Sequence, residues 1–288
     1  MRTVYLNNTD EEISAVGMGA MHLSLSGRPS ETDSIDVLHH AFDLGVRLID
    51  TADSYCIDES DKHHNERLIQ KAIDSYDGPT DHILIATKGG LMRPNGAWKR
   101  NGDPEHIRDA IQRSYDILNG DDPIDLWQFH APDSDYPVTE SLEPAAEAQE
   151  SGLINHIGVS NFSVEQIKQA ETLLDLVSVQ NEYHPWHRAP ENNGVLEYCE
   201  EHDLTFLPYR PLGGRRRVDQ LDDLTAIRQV AERHQSTPQQ IVLAWHRSQS
   251  SCIVPIPGVS RTKTLQESVA SAEVDLAEEE VDSINASL

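Results

Sequence analysis

With 288 residues, 38% of them hydrophobic, the chain can fill a sizeable core, and α/β barrels commonly reach this length as one domain, here expected over 1–288. Its 49 acidic and 23 basic side chains leave a formal charge of −26, which repels nucleic acid and anionic membranes and excludes both as expected partners. Nowhere do about 18 apolar residues run together, so no membrane span is expected.

The start, MRTVYLNNTDEE, lacks the apolar stretch of a secretory signal, which points to the cytoplasm. Cys56, Cys199 and Cys252 form no CxxC pair, so neither a disulfide framework nor a zinc knuckle is indicated. Six lysines stand beside seventeen arginines. Adaptation to salt and a merely acidic mesophilic surface both account for such a charge pattern.

In chain order, a short N-terminal hairpin is expected to close the bottom of a barrel. AVGM (15–18) then precedes a helix near 34–44, RLID (47–50) one near 66–75, and ILIATK (83–88) one over 104–118. IDLWQFH (124–130) precedes 140–150, HIGVS (156–160) precedes 164–175, and VSVQNEY (177–183) precedes 194–202. TFLPY (205–209) leads to helices within 222–248, CIVPIP (252–257) to 262–270, and AEEEVDSINAS forms a last helix. Ser163 with Gln166 makes a capping box, with Phe162 and Ile167 as a hydrophobic staple; Thr237-Pro238-x-Gln240 and Asp103-Pro104 open helices in related ways. Eight strand-then-helix units with continuous apolar strands imply a parallel sheet closed into a (β/α)8 TIM barrel.

Barrels of this kind carry their chemistry at the C-terminal strand ends. Those ends hold Asp50 and Tyr55, Lys88, His130, Ser160 and Asn161, Gln180, Tyr209, and Pro257-Gly258. A lysine ammonium beside a phenol stabilises the phenolate and lowers its pKa, by about 1–3 units for a close partner. A partly buried lysine in turn needs a counter-charge, which Asp50 supplies, while His130 can orient a substrate oxygen. Taken singly, Asp50 reads as a loop cap, Tyr55 as a half-buried loop aromatic, Lys88 as a solvated strand end and His130 as a core histidine. Their joint order changes that reading.

The motifs GVRLIDTADSY, NERLIQKAI, ILIATK, IDLWQFHAPD, GLINHIGVSNFS, VQNEYHP, LPYRPLGG and PIPG occur in the order and spacing of one family. From end to end the chain resembles the aldo-keto reductases. The resemblance implies an NAD(P)H-dependent oxidoreductase that reduces aldehydes and ketones to alcohols, with Asp50, Tyr55, Lys88 and His130 as the catalytic tetrad and Tyr55 as proton donor. It places the nicotinamide carboxamide at Ser160, Asn161 and Gln180 and its ring against Tyr209. Gly19 and Met21 would line the cofactor, and Arg210, Pro211, Leu212 and Gly213 follow the seventh strand toward it. Gly258, Ser260, Arg261 and Glu267 belong to the closing motif at the adenine end, where Ser268 replaces the family's asparagine and Gly258 stands where some members carry lysine.

Arg261 is the expected partner of a 2′-phosphate, so NADPH is expected to be preferred and NADH accepted. The cluster Arg215 to Arg217 reads either as a pyrophosphate contact or as a solvated loop. Trp98 and Trp186, on two long loops, are expected to wall a pocket for a small-molecule carbonyl substrate. The resemblance leans toward pyridoxal-like and small aromatic aldehydes. A non-catalytic nicotinamide-binding barrel serving as a regulatory or sensing subunit is the alternative function. The chain lacks HxH and HExxH, and His184 and His187 have no companion ligand, so no metal is expected and a metal-dependent hydrolase is disfavoured. The oligomeric state is not legible in the sequence, and a monomer is compatible with it.

Overall fold

The computed structural model describes residues 1–118 and 122–288. A hairpin of β1 (Thr3–Tyr5) and β2 (Glu12–Ser14) precedes the barrel. Then come β3 (Met18–Gly19), α1 (Glu31–Asp43), β4 (Leu48–Asp50), α2 (His64–Asp74) and β5 (Leu84–Gly89). A small hairpin, β6 (Leu91–Met92) with β7 (Lys99–Arg100), interrupts the alternation before α3 (Pro104–Ile117). It continues through β8 (Ile124–Phe129), α4 (Val138–Glu150), β9 (Ile154–Ser160), α5 (Val164–Ala170) and β10 (Leu176–Gln180). A short α6 (Ala189–Asn192) and α7 (Val195–Glu201) lead to β11 (Thr205–Phe206), followed by α8 (Thr225–His234), α9 (Pro238–Gln249), α10 (Thr262–Ala270) and α11 (Glu278–Ser287).

Seven parallel strands run in the order β11-β10-β9-β8-β5-β4-β3, and the eighth segment, 252–257, closes the ring. On one side Phe206 donates to the Cys252 carbonyl at 2.8 Å and Val254 to the Phe206 carbonyl at 2.9 Å. On the other, Gly17 and Gly19 donate to the carbonyls of Pro255 and Pro257, both at 2.9 Å. These prolines have no N–H to return, so this segment bridges its neighbours without forming a regular ladder. The architecture is the expected (β/α)8 barrel.

Alternation along the strands decides what faces inward. Leu48, Leu84, Ala86, Leu126, Val254 and Ile256 fill the barrel, where Leu6 and Ile13 of the N-terminal hairpin join them and seal the end at which the strands begin. Ile49, Ile85, Trp127, Phe129, Ile157 and Val159 face outward and pack beneath the helices. The period of two then fixes the upper rim: two residues after Leu48 comes Asp50, two after Ala86 comes Lys88, and four after Leu126 comes His130.

Both capping boxes form, and Asp103 accepts from the Glu105 amide at 2.9 Å to open α3. α5 ends at Ala170, short of the expected 175, because Thr172 turns its hydroxyl onto the Gln169 carbonyl and the chain tightens to bury Leu174.

Candidate active site

The inward parity of β4 and β5 puts Lys88 Nζ 2.5 Å from Asp50 Oδ1, 2.7 Å from the Thr51 carbonyl and 3.2 Å from Tyr55 Oη. Lys88 has no exposed surface, and Asp50, Tyr55 and His130 are all buried. A buried ammonium beside one carboxylate is an ion pair whose field is largely that of a dipole. One expectation is reversed. The Tyr55 phenol is not lowered but held well above its ordinary pKa, first by burial and then by the Asp50 charge. Burial also lowers Lys88, against the opposing pull of Asp50.

His130 follows β8, its Nδ1 3.5 Å from Ser54 Oγ and its ring edge-on to Tyr55 at 5.8 Å. Burial, followed by the Lys88 charge, holds it well below the usual histidine range, so it is a neutral hydrogen-bonding group. The four groups therefore form a proton-loaded phenol backed by an ion pair and flanked by a neutral imidazole.

Above them opens a cavity of about 390 Å³. One wall is a hydrogen-bonded ladder from β9 to β11. Ser160 Oγ donates to the Gln180 carbonyl at 2.8 Å, Gln180 Nε2 to Asp50 Oδ1 at 2.8 Å, and Asn161 Nδ2 to the His130 carbonyl at 2.9 Å. Tyr209 closes it by donating its hydroxyl to Asn161 Oδ1 at 2.9 Å. Asn161, at φ 62°, is one of the residue types that adopt this left-handed geometry most readily.

The opposite wall is aromatic. Trp98, 48% exposed, stands edge-on to Tyr55 at 6.3 Å and meets His130 at 6.5 Å, with the Arg93 guanidinium 3.8 Å over its ring. The hairpin β6–β7 carries it there.

The lining is also cationic. Arg210, Arg215 and Arg261 border the cavity with Ser260, Pro211 and Leu212, and Gly19, Met21 and Gly258 border it as well. Gly258 bridges Gly19, and a Cβ there would come within 2.9 Å of the His22 ring.

Three expected residues lie elsewhere. Trp186 packs against the outer core with Arg217 5.2 Å over its ring, Gly213 lies against that indole, and Glu267 on α10 faces Lys263 at 3.8 Å. None of the three lines the cavity. Conversely Leu91, His22 and Thr264 line it, each within a segment expected near the site but not singled out as a site residue. Leu91 rides on the unforeseen β6–β7 hairpin, and Thr264 follows Arg261 by one helical turn, the spacing that could have revealed it. Among the described residues, no group of three or more His, Cys, Asp or Glu could hold a metal ion, and no helix is long and apolar enough to cross a membrane.

Comparison with known proteins places the sequence and the fold. The model of the aldo/keto reductase family matches residues 15–288. An uncharacterized oxidoreductase of Schizosaccharomyces pombe is 35% identical over 94% of this chain and 85% of its own, and a probable aldo-keto reductase of Glycine max is 29% identical over 98% and 87%. A thermostable aldo-keto reductase solved with the inhibitor epalrestat superposes with a TM-score of 0.85 at 29% identity, each chain fully covered. The glycerol dehydrogenase of Gluconobacter oxydans shares the fold, with a TM-score of 0.85 at 23% identity over 99% of this chain and 94% of that one. The chain belongs to the aldo/keto reductase family.

Proposed function

We propose that this protein reduces aldehydes and ketones to alcohols with NAD(P)H, Tyr55 delivering the proton. The observation that carries the reading is the buried contact set of Lys88 with Asp50 and Tyr55 at the floor of an open cavity. A nicotinamide dinucleotide fits the donor set around it. In a chain of charge −26, the cavity wall carries Arg210, Arg215 and Arg261 and a single carboxylate, Asp50, which is already ion-paired. That arrangement suits a polyanionic ligand.

Ser160, Asn161 and Gln180 offer amide and hydroxyl groups for a carboxamide, Tyr209 an aromatic face, and Arg261 a fork for a 2′-phosphate. Bound there, the reduced nicotinamide supplies a hydride. This chain's residues do the rest. Tyr55 Oη donates its proton to the carbonyl oxygen, a downhill transfer because an alkoxide is a stronger base than a phenolate. Lys88 then stabilises the phenolate left behind, and the neutral His130 and the Trp98 wall orient the carbonyl and limit access of water.

NADPH is the preferred cofactor, and NADH is accepted because Gly258 contributes no cation. A panel of aldehydes and ketones assayed with each cofactor tests the reading. Oxidation of NADPH with an aldehyde supports it, and the absence of any carbonyl-dependent oxidation of either cofactor overturns it.

A further inference from the structure

Behind these four residues lies a second cluster of buried charge. Asp53 has no exposed surface; its amide donates to the Lys88 carbonyl at 3.0 Å and its carbonyl accepts from the His63 amide at 2.6 Å. Its Oδ2 lies 3.1 Å from Lys62 Nζ, the one cation ion-paired with this buried carboxylate among the described residues. Glu66 on α2, also fully buried, accepts from the Thr87 hydroxyl at 2.5 Å and pairs with His63 Nδ1 at 2.6 Å. His63 sits at φ 64°, a left-handed conformation of the kind that persists where surrounding contacts over-determine it.

We propose that Asp53 is a positioning residue of the catalytic group: paired with Lys62, it fixes the segment carrying Tyr55 against β5 and adds a second negative charge behind Lys88. The inference rests on the function proposed above. Burial drives Lys88 toward its neutral form, and Asp50 opposes this by contact. Asp53 and Glu66 oppose it from behind, and the Asp53 charge also keeps the proton on Tyr55.

The groups around Asp53 come from its own segment, α2, β5 and α3. Lys62 and His63 on its own segment hold its carboxyl down, Glu66 on α2 pushes it up, and Lys88 on β5 stands in front. Glu59 shares Lys62 at 3.7 Å. His106 on α3, its pKa lowered to about 4 mainly by burial, adds no charge near neutrality. Burial outweighs the opposing pull of Lys62 and raises the Asp53 carboxyl to about 6. Protonation near that pH discharges the pair with Lys62.

The test is the pH profile of kcat/KM for 4-nitrobenzaldehyde at saturating NADPH in the wild type, Asp53→Asn and Lys62→Met. The wild type should lose activity through an inflection near pH 6. Asp53→Asn should lack that inflection and run about tenfold lower on its plateau, the scale of a lost partner behind a reacting group. Lys62→Met should move the inflection up by about one unit or more, because the cation that favours the carboxylate is gone. A merely structural role would lower all rates without moving the inflection.

Survival of the inflection in Asp53→Asn, or an unmoved one in Lys62→Met, overturns the inference while leaving carbonyl reduction intact. If Asp53→Asn does not fold, the Lys62→Met shift decides alone. A wild type without aldehyde reduction overturns both readings.

Discussion

Replacing Lys88 by methionine keeps most of the side-chain volume and removes the ammonium that touches Asp50, Thr51 and Tyr55. The Asp50 carboxylate is left buried with one neutral donor, Gln180 Nε2 at 2.8 Å. Removing one partner of a buried pair costs about 3–5 kcal/mol. The surviving bond to the carboxylate retains about 1.5–3 kcal/mol, so the lower end, about 3 kcal/mol, is expected.

Urea denaturation at pH 7 measures this, with Asp50→Asn/Lys88→Met as the control. The double variant should recover at least about 1 kcal/mol, since it no longer buries an unpaired charge. Lowering the pH to 5 should shrink the deficit of the single variant, because its stranded carboxylate binds a proton in the folded state that the unfolded chain does not yet hold. A deficit under about 1 kcal/mol, or a double variant no more stable than the single one, would show that Lys88 and Asp50 are not a mutually dependent pair. Turnover in Lys88→Met should fall more than about tenfold with cofactor affinity retained.

Arg261→Ala should raise the dissociation constant for NADPH at least about tenfold, the weight of one charge-assisted bond, and change that for NADH by less than about twofold. Fluorescence titration reads both; equal losses would assign Arg261 to a feature the two cofactors share. Thermal stability should rise as potassium chloride is taken to molar concentration if the charge of −26 reflects adaptation to salt, and a flat or falling melting temperature refutes that origin.

His246 is buried with its Nε2 3.0 Å from the Pro211 carbonyl, and its pKa is lowered to about 4, mainly by burial. A depressed histidine contributes stability above its unfolded pKa of about 6.5 that is lost as pH falls toward 4, about 3 kcal/mol in all. Chemical denaturation across that window should therefore show a smaller loss for His246→Gln than for the wild type, and identical slopes would remove His246 from the account.

Much of this was legible in the sequence for definite reasons. Continuous apolar runs read as barrel strands whose ends carry the chemistry, and Asp50 and Lys88 do stand near the ends of β4 and β5, two residues after the inward-facing Leu48 and Ala86. Helix starts were legible because Ser163, Thr237 and Asp103 cap through their own side chains.

What the sequence hid depends on distant contacts. The strands of the β6–β7 hairpin are two residues each, too short for any period to register, yet they set Trp98 against Tyr55. Trp186 was expected in the pocket, but the position of an indole on a long loop is decided by packing, here against Gly213 and Arg217. The direction in which Tyr55 is shifted was misjudged because burial, invisible in sequence, outweighs the neighbouring lysine. The Asp53 and Glu66 pair was missed because charged residues on such segments usually face water.

The central claim is that Tyr55 protonates a carbonyl. Tyr55→Phe deletes one hydroxyl, 3.2 Å from Lys88 Nζ, and little volume. The measurement is single-turnover reduction of an aldehyde by preformed variant and NADPH, alongside the cofactor dissociation constant. The account predicts a rate lower by about 10²–10⁴-fold with cofactor affinity within about twofold. A variant that reduces aldehyde at nearly the normal rate would contradict it, since the proton would then have another source.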